Sequence, residues 1–304
     1  MADSELVSRL HGVIPPLATP LRNGRLDTLG LERLIEYVLC APVNGLFVLG
    51  TTGEGPALPS RVRRQVVQES VPIVNGRLPV IVGVSDSSLA DAIESAEFAA
   101  AVGADAIAAT PPYYFPLSQA GLVQWYSELA NGSPLPLLLY NFPFLAKSHL
   151  ELETVARLMD VDNIIGIKDS HGDLDTFAKF CEQSRQREDW RVFIGPEEKL
   201  ADAIALGADG GVCGGANLRP QLFVDFYEAA LAARQAEAGG KDAAQKRVED
   251  VRRAVLQLAA DTYGSPISCE SVIRGLKRKL AEAGICSAES TWDAPFASRV
   301  TSTQ

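Results

Sequence analysis

Lys168 closes the apolar run Ile164-Ile165-Gly166-Ile167 and is followed at once by Asp169-Ser170. Taking an ammonium out of water is costly, so burial favours the neutral amine. A neutral amine can attack a carbonyl carbon and form an imine. The same position also suits a strand lysine whose stem packs while its head reaches water. Other segments carry groups that could serve imine chemistry. Gly50-Thr51-Thr52-Gly53-Glu54-Gly55 offers two hydroxyls on a glycine-rich turn, where exposed N–H groups can hold a carboxylate or a small phosphate. It is equally readable as a plain turn, and its spacing is neither a dinucleotide fingerprint nor a P-loop. Tyr140-Asn141-Phe142-Pro143 presents a tyrosine that either relays protons or packs as an aromatic. Thr110-Pro111-Pro112-Tyr113-Tyr114-Phe115-Pro116 is stiffened by proline, and either tyrosine could reach a site or a neighbouring subunit.

Two further segments, Gly195-Pro196-Glu197-Glu198 and Gly211-Val212-Cys213-Gly214-Gly215-Ala216-Asn217, complete the candidates. Paired carboxylates at Glu197 and Glu198 would repel a phosphate, which argues against a phosphorylated substrate held there. His11, His149 and His171 are far apart, and no carboxylate cluster accompanies them, so no metal site is expected. His171 lies just past Lys168 and reads as a surface histidine.

These groups need a frame, and the chain supplies a strand-then-helix rhythm. Strands are expected at 12–19, 45–50, 79–84, 104–110, 136–142, 164–170, 191–195 and 207–214. Most are short and apolar throughout, as strands buried on both faces should be. Asp27, Ser60 and Ser88 can start helices over 29–37, 62–71 and 90–101, and Ser118, Asp173 and Asn217 can open later ones. Eight such units predict a (β/α)8 TIM barrel, in which functional groups sit where strands run into their following loops. An open doubly wound sheet would announce a glycine fingerprint after its first strand, and Pro15-Pro16 and Thr19-Pro20 stand there instead. After about residue 236 the character changes. Helical patterns at 241–262 and 269–283, split by Gly264-Ser265-Pro266, read as a C-terminal helical appendix, with 292–296 as a terminal anchor. The domain expectation is therefore a catalytic barrel over 1–235 and a helical region over 236–304 packed on it.

With 47% hydrophobic and 22% charged residues in 304, the chain reads as globular, and no apolar run approaches membrane-spanning length. The net charge of −10 and the lack of a basic stripe exclude a nucleic-acid binder. The short cluster Lys277-Arg278-Lys279 reads as a solvated helix face or a helix end. Five scattered cysteines without metal-ligand spacing and a start without signal-peptide character lead us to expect a cytoplasmic protein with free thiols.

Taken in order, Gly50-Thr51-Thr52-Gly53-Glu54, residues 110–114, Tyr140-Asn141-x-Pro143, Ile165-Gly166-Ile167-Lys168-Asp169 and residues 214–217 resemble the dihydrodipicolinate synthase/N-acetylneuraminate lyase family of class I, imine-forming aldolases. The resemblance implies that Lys168 forms a Schiff base with pyruvate or another 2-oxo acid and that Thr51 and Thr52 hold its carboxylate. It implies that Tyr140 relays protons, that Tyr114 is donated across a dimer interface, and that Gly195 and Val212 line the pyruvate pocket. It further implies a homotetramer or homodimer that needs no metal or organic cofactor. The reaction would make or break a C–C bond between the 2-oxo acid and an aldehyde, or dehydrate a 2-oxo-3-deoxy sugar acid. Synthase members carry Ser-Arg after the Tyr-Asn-x-Pro motif, where Phe144-Leu145 stand here. Losing that arginine removes a fork of charge-assisted donors for aspartate semialdehyde, and Lys147 offers only a point charge. The departure points toward the lyase and sugar-acid branches. The alternatives are the synthase itself, condensing pyruvate with aspartate semialdehyde, and a non-catalytic 2-oxo-acid binding protein.

Overall fold

A computed structural model of the chain describes residues 4–237 and 239–293. Eight parallel strands form one curled sheet: β1 Gly12–Val13, β2 Leu46–Val48, β3 Val80–Gly83, β4 Ala106–Ala109, β5 Leu137–Asn141, β6 Ile164–Asp169, β7 Arg191–Ile194 and β8 Gly210–Gly211. Each strand pairs in parallel with its neighbour in sequence from β2 to β8, and β8 pairs with β1. An isolated parallel bridge between Pro16 and Phe47 links the extension of β1 to β2. Helix α1, Ser4–Arg9, precedes the sheet, and α2 Thr28–Val38, α3 Ser60–Val74, α4 Leu89–Val102, α5 Gln119–Gly132, α6 Pro143–Ala146, α7 Leu152–Leu158, α8 Leu174–Ser184, α9 Leu200–Leu206 and α10 Pro220–Gln235 follow its strands in turn. Two more helices, α11 Lys241–Tyr263 and α12 Cys269–Glu282, come after the last of these.

The ladder segments are shorter than the apolar runs that announced them, most of all at β1 and β8, where proline and glycine interrupt regular pairing. Asp27, Ser88, Ser118 and Asp173 cap their helices as their side chains predict, each accepting from a backbone N–H. Ser60 is the first residue of its helix rather than its cap. Asn217 opens no helix; it is buried, accepts from the Ala18 N–H and donates to Pro16 O and Gly214 O, so it ties β8's loop to the chain after β1. A two-stranded hairpin, Leu21–Arg22 with Arg25–Leu26, was not anticipated, although Asn23-Gly24 is a strong turn signal. Of the anticipated anchor at 292–296, residues 294–296 lie outside the described residues, and Trp292 is 44% exposed.

Strand residues divide between two apolar layers. One set, including Val48, Val82, Leu137, Leu139 and Ile167, packs outward against the helices. The other, including Phe47, Ile81, Leu138, Tyr140, Ile165 and Phe193, faces the interior, where Leu6, Val7 and Leu10 of α1 join it. The alternation of strand side chains explains this division, but β6 breaks it. Leu137 stands beside Ile164 and Leu138 beside Gly166, so the register shifts by one residue there. The extra residue returns Lys168 to the interior face beside Tyr140. A uniform register would have placed it on the opposite face. Gly166 is required at this point, because a Cβ on it would lie 2.2 Å from Arg191 O. We expect Gly166→Ala to lower stability by about 1–3 kcal/mol, read as a fall in the urea midpoint.

Candidate functional site

Lys168 is the last residue but one of β6 and is 7% exposed, inside the curled sheet. Its Nζ lies 3.8 Å from the centroid of the Tyr140 ring and 5.3 Å from that of Phe47. Aromatic faces attract the ammonium form while leaving the head without a fixed ionic partner. The Tyr140 hydroxyl and Thr51 Oγ1 are 3.0 Å apart, so two candidates that are distant in sequence share a hydrogen bond. Thr51 reaches this position through a sharp turn. Leu49 takes a left-handed φ of +60° at the end of β2, and a Cβ on Gly55 would lie 2.0 Å from Leu49 O. Gly195 has a similar constraint: a Cβ there would meet Ser170 Oγ at 2.0 Å.

Lys168, Tyr140, Thr51, Thr52, Gly195 and Val212 all line one cavity of about 540 Å3. Tyr114 does not line it. That residue is 84% exposed, adopts φ +87° and packs edge-on against Phe115, with ring centroids 4.9 Å apart. His171 is exposed, as a surface histidine should be. Among the described residues, no group of three or more His, Cys, Asp or Glu side chains is arranged to hold a metal ion, and no helix is long and apolar enough to cross a membrane.

The buried carboxylates around the site each have hydrogen-bond donors of their own. Asp169 accepts from Asn141 Nδ2 at 2.6 Å, and burial pushes its carboxyl up from the usual range while that hydrogen bond opposes the shift. Asn141 in turn accepts from the Leu150 N–H, which fixes the loop after β5. Glu197 accepts from the Tyr263 hydroxyl at 2.6 Å and the Gly215 N–H at 2.7 Å, and burial raises its pKa despite both donors. Burial likewise pushes the Tyr263 phenol upward, with the Glu197 charge adding to the effect.

Tyr263 was invisible to sequence reasoning, as was the whole roof of the cavity. Val255, Leu256, Ala259 and Tyr263 of α11 and Cys269, Val272 and Ile273 of α12 line it. The apolar spacing along α11 was a readable signal, but nothing in it named the partner surface. The reading of Lys277 as solvated is overturned. It is fully buried and forms an ion pair with Glu54 of the threonine loop, and its Nζ also donates to Glu289 O at 2.8 Å. Burial lowers the Lys277 pKa, and the Glu54 carboxylate opposes that shift.

With this geometry in place, comparison with known proteins is decisive. The model of the Dihydrodipicolinate synthetase family matches residues 9–284. The chain belongs to that family. A protein of Escherichia coli (strain K12) described as a probable 2-dehydro-3-deoxy-D-pentonate aldolase is 37% identical over 228 residues, covering 73% of this chain and 75% of its own. Dihydrodipicolinate synthase from Bacteroides thetaiotaomicron superposes with a TM-score of 0.84 at 39% identity, covering 92% of this chain and 91% of its own. A prophage protein of the dihydrodipicolinic acid synthase family from Escherichia coli K12, solved in complex with pyruvate, gives 0.82 at 28% identity, covering 94% and 95%.

Two measurements check the packing around this site. Lys277→Met leaves Glu54 charged and buried, and is expected to cost about 3–5 kcal/mol in urea unfolding, with much of the loss recovered in Lys277→Met/Glu54→Gln. A carboxyl whose folded pKa is raised contributes stability that is present below its unfolded pKa and lost as pH rises through its folded one. Glu197 is in that class. Glu197→Gln, which keeps an acceptor for Gly215 and a donor for Tyr263, should therefore gain stability relative to the parent as pH rises from the ordinary glutamate range toward neutrality. A flat difference across pH would count against the buried charge.

Proposed function

We propose that this family member is a class I, pyruvate-dependent lyase that uses Lys168 as its Schiff-base residue. The observation that carries this reading is the juxtaposition at the cavity floor: Lys168 Nζ against the Tyr140 ring, and the Tyr140 hydroxyl on Thr51 Oγ1. The proposed frame is a closed (β/α)8 catalytic barrel over 1–235 with a helical region over 236–304, whose helices α11 and α12 line the cavity from above.

In this mechanism the carboxylate of pyruvate or a related 2-oxo acid rests on Thr51 and Thr52, beside Gly195 and Val212. The neutral Lys168 amine attacks the keto carbon, and the carbinolamine oxygen leaves as water after protonation from Tyr140. Thr51 orients that hydroxyl and returns the proton. The resulting iminium draws electrons from the adjacent carbon, which loses a proton and becomes an enamine. Enamine attack on an aldehyde forms a C–C bond; the reverse run cleaves a 2-oxo-4-hydroxy acid, and loss of a β-hydroxyl from a 2-oxo-3-deoxy sugar acid uses the same electron sink. Tyr114, exposed on its own chain, completes the relay from the neighbouring subunit of a homodimer or homotetramer. The residue types require no metal or organic cofactor for any of these steps. Phe144-Leu145 weigh against aspartate semialdehyde as the partner, because neither side chain can pair with its carboxylate.

Borohydride reduction in the presence of pyruvate, followed by peptide mass mapping, tests the assignment. The expected product is a reduced pyruvate adduct on the peptide carrying Lys168, absent from Lys168→Ala. A folded enzyme that yields no adduct, or an adduct on another lysine, would overturn the reading.

A further inference from the structure

We propose that the outer part of this cavity is a subsite for an uncharged aldehyde with an apolar substituent, aryl or branched alkyl, rather than for an anionic one. The proposal rests on the Lys168 imine reading and adds the class of the second substrate. Three observations carry it. First, among the described residues Lys168 is the single cation that lines the cavity, and in that reading it is committed to the 2-oxo acid; Lys147, 5.4 Å from the Phe144 ring, lies outside the lining and donates to Phe144 O at 2.8 Å. The carboxylates present, Glu197 and exposed Glu198, would repel a second anion. Second, the outer wall is apolar. Phe142, Phe144, Leu256, Ile267 and Val272 line it, and Phe144, Leu256 and Ile267 are 69%, 47% and 69% exposed. Apolar side chains left in water around a concave site mark a surface that a ligand covers. Third, two of the polar groups near that wall are already engaged. Glu197 is held by Tyr263 and Gly215, and Ser268 Oγ caps α12 by accepting from the Ser271 N–H.

The aromatic wall is continuous with the reacting centre. Tyr140 and Phe142 stack with centroids 5.9 Å apart at an interplanar angle of 14°. A flat substituent attached to the aldehyde carbon can lie along Phe142 while its carbonyl oxygen stays near the Tyr140 hydroxyl. In the bond-forming step the enamine carbon attacks the aldehyde carbon, the carbonyl π pair moves to oxygen, and that oxygen takes a proton from the Tyr140 hydroxyl, which is replaced by the proton released when the enamine formed. Water then hydrolyses the iminium, which releases a 4-substituted 4-hydroxy-2-oxo acid and restores the Lys168 amine.

The test measures kcat/KM at fixed pyruvate for benzaldehyde, isovaleraldehyde, glycolaldehyde and glyoxylate, alongside borohydride trapping with pyruvate alone. Benzaldehyde or isovaleraldehyde should exceed both glycolaldehyde and glyoxylate by on the order of tenfold or more, as burial of a hydrocarbon group in a matching pocket allows. Ile267→Ser and Leu256→Ser, both at exposed positions, should lower that ratio several-fold. If the Lys168 adduct forms but glyoxylate or glycolaldehyde is preferred, or no apolar aldehyde turns over, the subsite is wrong and the imine reading stands. If no adduct forms, the underlying reading fails.

Discussion

The ion pair between Glu54 and Lys277 is the contact on which the site's enclosure depends. Both side chains are fully removed from water. Burying two charges is favourable only when each finds good partners, because desolvation of the pair rivals its attraction. Here the partners come from three parts of the chain. Glu54 sits in the threonine loop with a left-handed backbone, Lys277 belongs to α12, and the Thr291 N–H and hydroxyl both donate to Glu54 Oε2. Lys277 also donates to Glu289 O, while Glu289 accepts from the N–H groups of Asn23 and Gly24 in the hairpin. A buried carboxylate that needs these donors cannot tolerate drift of α12, so the loop carrying Thr51 and the helix roofing the cavity are set in one register. Tyr263 on Glu197 does the same at the end of α11.

Below that roof, the floor is built by backbone constraint. The one-residue slip in β6 turns Lys168 inward, and strand pairing sets it beside Tyr140. Both residues lie within paired strands, so the amine and the phenol are held in a fixed relative geometry. The buried carboxylates are occupied by their own donors: Asp169 by Asn141, Glu197 by Tyr263 and Gly215. That arrangement leaves Lys168 among aromatic faces instead of in a salt bridge.

The reach of the sequence follows from which residues act locally. The strand-helix rhythm was legible because short apolar strands and capped helices are near-neighbour patterns. Lys168, Tyr140, Thr51, Thr52, Gly195 and Val212 were legible because they stand at strand ends, and the fold gathers strand ends at one cavity. The slip in β6 was not, since a run of isoleucines with a glycine gives no phase. Lys277 was misjudged for a related reason. In Lys277-Arg278-Lys279 only one side chain faces inward, and the carboxylate that makes its burial tolerable lies on a loop at the other end of the sequence. Tyr114 shows the limit of a single chain: its ring is exposed and lies outside the cavity, so the role proposed for it depends on a neighbouring subunit.

The division between floor and roof bears on how chemistry and specificity separate in this fold. The groups assigned above to the 2-oxo acid sit on strands, as Lys168 and Tyr140 do, or just past strand ends, as Thr51, Thr52, Gly195 and Val212 do, where sheet pairing and close-packed glycines fix the backbone. Groups that would meet the second substrate sit on the loop after β5 and on α11 and α12, several of them exposed. Substitutions at exposed positions usually perturb stability little. The roof can therefore change character while the floor cannot. Phe144 belongs to that changeable part: it is exposed at the cavity's edge, while Lys168, Tyr140 and Thr51 are held together below it.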